Sequence, residues 1–193
     1  MSLDLRACTF IKASKEVTGE YLISELVKAE LERARDSGKT FSRHTLRMLP
    51  VETTCFAGID EIAAAAAPLI EKHFKSDDEK VTTFAICFDR RANNSVKRMD
   101  VIDAIAKLVK QPNFKVNLSN PDLSIMVEVV KGVACLSIVK DYDGLCKYNL
   151  RMVGMTEEER VEAKTMNRGN AGYASKPRTT SNASENEEAN EEE

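Results

Sequence analysis

The sequence has few of the side chains that metal sites and nucleophilic catalysts require. Its 193 residues include two histidines, His44 and His73, so a metal centre or a catalytic triad would need distant partners to which no pattern points. The five cysteines are odd in number, widely spaced and never form a CxxC pair, which argues against a zinc site and a disulfide framework. The sequence also contains no phosphate-binding P-loop. We therefore expect no catalytic residues, no metal and no cofactor.

Long hydrophobic runs are missing as well. No stretch of about 18 apolar residues could span a membrane, and Asp4 and Arg6 precede any apolar stretch, which is unlike a signal peptide. The hydrophobic content of 42% is enough for a core, and the length allows one domain or one domain and part of another. These features predict a soluble intracellular protein with no membrane partner.

The formal net charge of −3 hides a difference between two parts of the chain. Residues 1–155 contain 23 Lys and Arg against 21 Asp and Glu, a balance of +2, and residues 156–193 contain 5 against 10, a balance of −5. The first part is therefore mildly basic. From about Gly154 apolar residues become rare, and Ser175–Glu193 has no side chain that forms a core, so we expect residues 154–193 to be a disordered acidic tail.

An apolar, β-forming run begins at Val81 and predicts a strand buried on both faces. Its side chains alternate between the two sides of the strand, with Phe84, Ile86 and Phe88 on one side and Ala85 and Cys87 on the other. A sheet that contains such a strand needs helices packed on it.

A cluster of cations and amides follows this strand. It consists of Arg90, Arg91, Asn93, Asn94, Lys97 and Arg98. Arginine offers a planar fork of donors that suits phosphate, and asparagine can bind phosphate, sugar or a base edge. Asp100 is placed to cap a following helix over residues 100–110. The cluster predicts a site for an anionic ligand at one edge of the sheet, and the alternative is a solvated loop with its asparagines in turns.

Residues 1–52 predict part of another sheet. A strand over Cys8–Ile11, a helix that is capped by Thr18 and contains Ile23–Ala34, and a strand over Phe41–Leu49 would form half of a split βαβ, ferredoxin-like unit. Because such a half cannot bury its own sheet, we expect the chain to begin inside a domain.

Residues 53–153 predict a second domain, which contains the apolar strand. Helical spacing over Thr53–Phe74 is interrupted by Pro68, which predicts two short helices. Lys115–Leu118 predicts a short strand, and Asp141–Arg151 is expected along the sheet edge because it is too short and mixed for a core element.

A β-hairpin is expected in the same domain. The β-rich runs Leu123–Val130 and Val133–Lys140 are separated only by Lys131-Gly132. A two-residue spacer between such runs is typical of a hairpin.

Several strings of the sequence are similar to those of a known family. They are Arg47-Met-Leu-Pro-Val51 with Thr54-Cys55, Arg90-x-x-Asn-Asn94, Val116-Asn-Leu-x-Asn-Pro121, and Val139-Lys-Asp-Tyr142 with Lys147-Tyr-Asn-Leu150. Together with the predicted order helix, helix, strand, helix, strand, strand, and over roughly residues 8–152, they resemble the THUMP-domain adaptor that accompanies the eukaryotic RNA cytidine acetyltransferase on tRNA.

The resemblance implies an α/β (α+β) fold, a THUMP-like domain with helices packed on a central mixed sheet, preceded by part of a ferredoxin-like N-terminal subdomain. It implies a noncatalytic protein that presents leucine and serine tRNAs to the RNA cytidine acetyltransferase for N4-acetylcytidine formation. The expected partners are tRNA and that enzyme, and not DNA. A nuclear or nucleolar location is expected, with a cytoplasmic one as the alternative. The RNA-binding residues expected from the basic cluster and the family strings are Arg47, Arg90, Arg91, Asn93, Asn94, Lys97, Arg98, Lys140, Lys147, Tyr148 and Asn149.

Two alternatives for the function stay open. The chain could be an RNA-binding fragment of a THUMP-containing tRNA-modifying enzyme, although no nucleotide-binding glycine loop follows in the sequence. It could also be a protein-interaction domain whose basic loop only keeps it soluble. Among single residues, Tyr148 could stack on a base or close the sheet edge, and Arg47 could face RNA or reach solvent from an edge. Lys140 and Lys147 flank two aspartates with which they could pair.

Overall fold

A five-stranded mixed sheet is the centre of the structure. The computed structural model describes residues 8–12, 14, 23–39, 42, 44–75, 81–109 and 113–171. The chain divides into two units, Met1–Met155, which contains the sheet, and Thr156–Glu193. The predicted mixed α/β fold with helices packed on a central sheet is confirmed.

Helices and strands follow one another in a fixed order along the described chain. They are α1 (Ile23–Ser37), β1 (Thr53–Phe56), α2 (Ile59–His73), β2 (Thr82–Arg91), α3 (Arg98–Ala106), β3 (Phe114–Val116), β4 (Leu123–Val130), β5 (Val133–Lys140), a 3-10 turn (Cys146–Tyr148), α4 (Leu150–Val153) and α5 (Glu157–Ala171).

The strands lie in the order β1-β5-β4-β2-β3. β5 is antiparallel to both β1 and β4, whereas β2 is parallel to both β4 and β3. The predicted hairpin is confirmed, because Val130 pairs with Val133 across the two-residue turn. Arg91, the last residue of β2, pairs with Val130, so the carboxyl end of β2 lies beside the hairpin turn. The predicted short strand is present as β3, slightly earlier than expected.

Both faces of the sheet are buried, as the pattern of β2 predicts. On the first face, Phe84, Ile86 and Phe88 belong to the core that α2 and α3 cover. On the second face, Cys87 packs against the core that contains α1 and the segment after β5. Burying one large apolar side chain contributes roughly 1.5–3 kcal/mol, so the two cores together fix the position of β2 and of the loop that leaves it.

The two strands predicted within residues 1–52 are wrong. Cys8–Ile11 has no strand pairing. The described part of Phe41–Leu49 forms one isolated bridge, between Arg47 and Asn149, and no strand. A strand needs a neighbour that satisfies its backbone groups, and among the described residues no other strand lies beside these two segments.

The helix predicted between these segments is present as α1. Its buried residues Val27 and Leu31 pack on the second face of the mixed sheet, rather than on a sheet of their own. The predicted cap, Thr18, lies outside the described residues.

The prediction of two short helices over Thr53–Phe74 is also wrong. The first four residues form the edge strand β1, and one helix, α2, then runs through Pro68. A proline inside a helix costs about 3 kcal/mol because it removes a backbone hydrogen bond. Ile62, Ala66 and Ile70 lie on one face of α2 and are buried in the first core, which offsets that cost.

Glu52 links the start of β1 to β5 and to the end of α2. Its carboxylate accepts a hydrogen bond from the backbone N–H of Ile138 (3.2 Å) and lies 2.9 Å from Nε2 of His73 and 3.5 Å from Nζ of Lys72. Burial opposes ionisation, but the hydrogen bonds from His73 and Ile138 and the charges of His73 and Lys72 hold the pKa of Glu52 below its ordinary value.

The segment after β5 is part of the second core, and not an edge element as predicted. Tyr148, Leu145 and Leu150 are fully buried and belong to the same core as Met126 and Val139 of the central strands. These side chains close the second face of the sheet beside α1.

The 3-10 turn in this segment has an unusual backbone. Cys146, Lys147 and Tyr148 have φ values of 51°, 56° and 60°. Each left-handed residue other than glycine costs roughly 1–2 kcal/mol. The burial of the Tyr148 ring, which is 0% exposed, offsets part of this cost.

Residues 157–171 form helix α5 inside the segment that was expected to be disordered. The reason is a capping box, in which Thr156 N–H donates to Oε2 of Glu159 (2.8 Å) and Glu159 N–H donates to Oγ1 of Thr156 (3.3 Å). Ser175–Glu193 lies outside the described residues, so its predicted disorder stays a prediction. Among the described helices, none combines the length and the apolar character that a membrane span requires.

Candidate nucleic-acid interface

The predicted cluster of cations lies in one loop, residues 90–98, which we call the basic loop. It continues from β2 at Arg91 into α3 at Arg98. The backbone N–H of Lys131, in the hairpin turn, donates to the carbonyl oxygen of Arg91 (2.9 Å), and Nδ2 of Asn93 donates to the carbonyl oxygen of Lys131 (2.7 Å). These two hydrogen bonds fasten the basic loop to the hairpin turn.

Asn93 shapes the basic loop. Its Oδ1 accepts hydrogen bonds from the backbone N–H groups of Ser95 and Val96, both at 3.1 Å. Val96 is 3% exposed and anchors the loop in the first core. Asn94 is exposed, and its side chain forms no hydrogen bond with other described residues. Asn93 is therefore a positioning residue, whereas Asn94 is open to a ligand.

Asp100 does not cap α3, contrary to the prediction. The helix begins at Arg98, and its N-cap residue is Lys97, which has the extended backbone that a cap requires (φ −89°, ψ 139°). The Lys97 side chain makes no capping hydrogen bond, and Asp100 lies in the first turn.

Two of the four cations are held by backbone carbonyl groups and two are not. Nη1 of Arg90 donates to a carbonyl oxygen in the loop (2.9 Å), and Nη1 of Arg98 donates to one in β2 (3.3 Å). Arg91 and Lys97 are exposed, and within the described part of the chain their side chains form neither a hydrogen bond nor a salt bridge. Arg91 and Lys97 are therefore the cations that an anionic ligand can bind without breaking internal contacts.

Arg47 lies on the second face of the sheet and has internal partners. Its Nε donates to the carbonyl oxygen of Lys147 (3.2 Å), its Nη2 donates to the hydroxyl of Tyr142 (3.0 Å), and Nη2 lies 3.8 Å from Oε1 of Glu128. The side chain is 28% exposed. Arg47 thus fixes the segment after β5, and its contact with RNA stays a prediction.

An acidic residue lies between Arg47 and the basic loop. Burial and the neighbouring Asp89 raise the pKa of Glu128, whereas the charges of Arg47 and Arg91 oppose the rise. Both arginines therefore act on the same carboxyl group, which places Arg91 and Arg47 at the same end of the second face.

Lys147 also comes close to the basic loop. Burial and Asp143 raise the pKa of the Cys87 thiol, and the charges of Lys147 and Arg98 partly oppose this. Lys147 is exposed and forms no salt bridge with the described residues, so the pairing with neighbouring aspartates that the sequence allowed is not found.

Three predicted RNA-binding residues are placed differently from the expectation. Lys140 pairs with Leu123, at the opposite end of β4 from the hairpin turn, so it is not brought to the basic loop. Tyr148 cannot stack on a base, because its ring is fully buried and its hydroxyl donates to the carbonyl oxygen of Lys140 (3.2 Å). Oδ1 of Asn149 accepts the N–H of Met152 and caps α4.

Lys131 belongs to this surface, although the sequence suggested only a turn residue. It is exposed and has φ 53° in the hairpin turn, next to Arg91. The signal that could have revealed it is the parallel pairing of β2 with β4, which brings the ends of the two strands together.

The cysteines are poorly suited to nucleophilic chemistry. Burial raises the pKa of Cys135 to about 11 and also raises the pKa values of Cys55 and Cys87. A thiol that stays protonated is a weak nucleophile. Among the described residues, no group of His, Cys, Asp and Glu could hold a metal ion.

The mixed sheet with a basic loop at the end of β2 is that of a THUMP-domain protein. The THUMP domain family matches residues 56–139, from the end of β1 to the end of β5. The chain contains a THUMP domain and is a relative of THUMP domain-containing protein 1, as the resemblance of the sequence strings implied.

Three comparisons show the extent of the similarity. The chain is 34% identical over 148 residues to the THUMP domain-containing protein 1 homolog of Drosophila melanogaster, which covers 74% of this chain and 42% of that protein. It is 28% identical over 174 residues to the tRNA acetyltransferase TAN1 of Saccharomyces cerevisiae, with 86% and 60% covered. The solution structure of the THUMP domain of THUMP domain-containing protein 1 is 36% identical, covers 41% of this chain and 81% of that one, and has a TM-score of 0.36. The chain thus spans less than half of the fly relative's length and three fifths of the yeast one's.

Proposed function

We propose that this chain is a noncatalytic adaptor that binds tRNA and presents it to an RNA cytidine acetyltransferase. Leucine and serine tRNAs are the substrates in this proposal, and N4-acetylcytidine is the product. The observation that carries the proposal is the pair Arg91 and Lys97, two exposed cations without internal partners among the described residues, on a loop that Asn93 fixes in place. Phosphate is the anion that such a surface binds in RNA.

The similarity to the yeast relative, which is named a tRNA acetyltransferase, supports tRNA acetylation as the process. In our proposal the chemical step belongs to a partner enzyme. The raised pKa values of the buried thiols favour this division of roles, because those cysteines stay protonated at neutral pH. We propose a nuclear or nucleolar location, where the adaptor would meet newly made tRNA.

A reconstituted acetylation reaction tests the adaptor role. Incubated alone with acetyl-CoA, ATP and tRNA, the chain should leave cytidine unmodified. The acetyltransferase should form N4-acetylcytidine on leucine and serine tRNA only when this chain is added. Acetylcytidine formed by the chain without the enzyme would show that it is itself a catalyst.

Recovery of the chain from its own cells tests the partners. We expect both tRNA and the RNA cytidine acetyltransferase to be recovered with it. Recovery of proteins without any RNA would contradict the proposal and favour a protein-interaction domain.

A further inference from the structure

The edge strand β1 ends in an exposed aromatic ring. Phe56, its last residue, is 68% exposed. A single exposed apolar side chain is common on protein surfaces and indicates nothing by itself. The position of Phe56 in the sheet, however, relates it directly to the basic loop.

Strand pairing places Phe56 and Arg91 in one row across the sheet. Phe56 pairs with Val133, Val133 pairs with Val130, and Val130 pairs with Arg91. Paired residues point to the same face, so the row lies on the second face. Three strand separations of about 4.8 Å put the Cα atoms of Phe56 and Arg91 roughly 14 Å apart.

The Phe56 ring leans over the hairpin turn that carries Lys131. A Cβ atom added to Gly132 would lie 3.8 Å from Cε2 of Phe56, so glycine leaves this side of the ring open. The Ala57 N–H donates to the carbonyl oxygen of Gly132 (2.9 Å), which fixes the end of β1 against the turn. The ring therefore has a defined position beside two exposed cations, Lys131 and Arg91.

We propose that Phe56 stacks on an unpaired base of the RNA whose phosphates bind Arg91 and Lys97. This inference rests on the proposed tRNA binding and adds a second kind of contact to it. Proteins that bind single-stranded segments combine cations for the backbone with aromatic rings for the bases, and each stacked base contributes about 1–3 kcal/mol.

A protein partner fits this row less well than a base does. Val130 is 4% exposed and Val133 is half-buried, so the row offers one exposed ring and one exposed guanidinium. That apolar area is small compared with the roughly 800 Å² per partner of a stable protein interface.

The test uses the fact that the sequence contains no tryptophan. Phe56→Trp places a single indole at the proposed stacking position, and Leu118→Trp serves as the matched control. Leu118 is 79% exposed and follows Asn117, whose N–H bonds Phe84, seven residues or roughly 23 Å from Arg91 along β2. Both variants change exposed side chains, and a thermal melt followed by circular dichroism confirms that each is folded.

We expect F56W to bind tRNA about as tightly as the unchanged chain, with its fluorescence quenched as tRNA saturates the protein. L118W should bind equally well without quenching. Phe56→Leu keeps an apolar side chain but loses the aromatic face, so its affinity for tRNA should fall by roughly 5- to 150-fold.

Full affinity of F56L, or no quenching of F56W in the bound complex, would overturn the stacking role while leaving tRNA binding itself intact. F56L that binds tRNA normally but no longer recovers the acetyltransferase would also overturn it and assign Phe56 to the protein partner. If the unchanged chain does not bind tRNA, the proposed function and this inference both fail.

Discussion

Within the basic loop, residues of the same type have different roles. Asn93 makes hydrogen bonds to Ser95, Val96 and Lys131, whereas the side chain of Asn94 makes none with the described residues. Arg90 donates to a backbone carbonyl group, whereas Arg91 does not among these residues. The composition of the cluster could be predicted from the sequence. The division between positioning and ligand-facing residues could not, because it depends on where the chain turns.

Replacing Asn93 tests this division. Asn93→Ala removes the side-chain hydrogen bonds that shape the loop, so the free energy of unfolding should fall by about 1–3 kcal/mol. Affinity for tRNA should fall as well, because Arg91 and Lys97 lose their fixed positions. Urea unfolding and a filter-binding titration measure the two quantities.

Asn94→Ala is the matched control, since it removes the same side chain from the same loop. Its stability should change by no more than about 0.5 kcal/mol. Equal loss of stability in the two variants would show that Asn93 does not position the loop.

At the scale of helices and strands, Glu52 makes a testable link between β5 and α2. Its side chain is 5% exposed and its pKa is depressed, so its contribution to stability is fully present above the unfolded-state pKa of about 4.3 and is lost as pH falls through the folded pKa. Glu52→Gln should therefore lower the free energy of unfolding by about 1–3 kcal/mol at pH 7. The difference from the unchanged chain should shrink below about pH 4.

Urea unfolding at pH 7 and at pH 3.5 measures this difference. Glu71→Gln, an exposed position on the same helix, is the control and should be nearly neutral at both pH values. A loss of stability in Glu52→Gln that is the same at both pH values would mean that shape, and not charge, makes the link.

The elements that could be predicted from sequence are those whose signal is local. β2 and the hairpin have a continuous apolar pattern and a two-residue turn, and both are present. β1 has only four residues, and its partner β5 lies about eighty residues further along the chain, so no local pattern reveals it. The turn at Cys146–Tyr148 is left-handed without a glycine, which sequence rules do not anticipate.

At the scale of the whole molecule, opposite charges are separated along the chain. Residues 1–155 have a balance of +2, and residues 156–193 have a balance of −5. This division falls at the boundary between the two units. The acidic unit would repel phosphate, so the basic loop alone is expected to account for RNA binding.

Deleting residues 156–193 tests this expectation. The shortened chain should bind tRNA with equal or higher affinity, because it loses a net charge of −5. A titration of both chains with the same tRNA at one salt concentration gives the comparison. A large loss of affinity would show that cations of the deleted unit, such as Arg160, contact RNA.

The central claim is that Arg91 and Lys97 bind RNA phosphates, and the salt dependence of tRNA affinity tests it most directly. In the double variant Arg91→Ala and Lys97→Ala, the slope of log affinity against log salt should become less steep by roughly 0.7 to 0.9 for each lost contact. Stability should change by no more than about 0.5 kcal/mol for each residue. The charge-matched control is Lys107→Ala with Lys115→Ala, two exposed lysines at the far ends of α3 and β2 from the loop. The account predicts a reduced slope in the first variant and an unchanged slope in the control. The same slope in both variants and in the unchanged chain would contradict it.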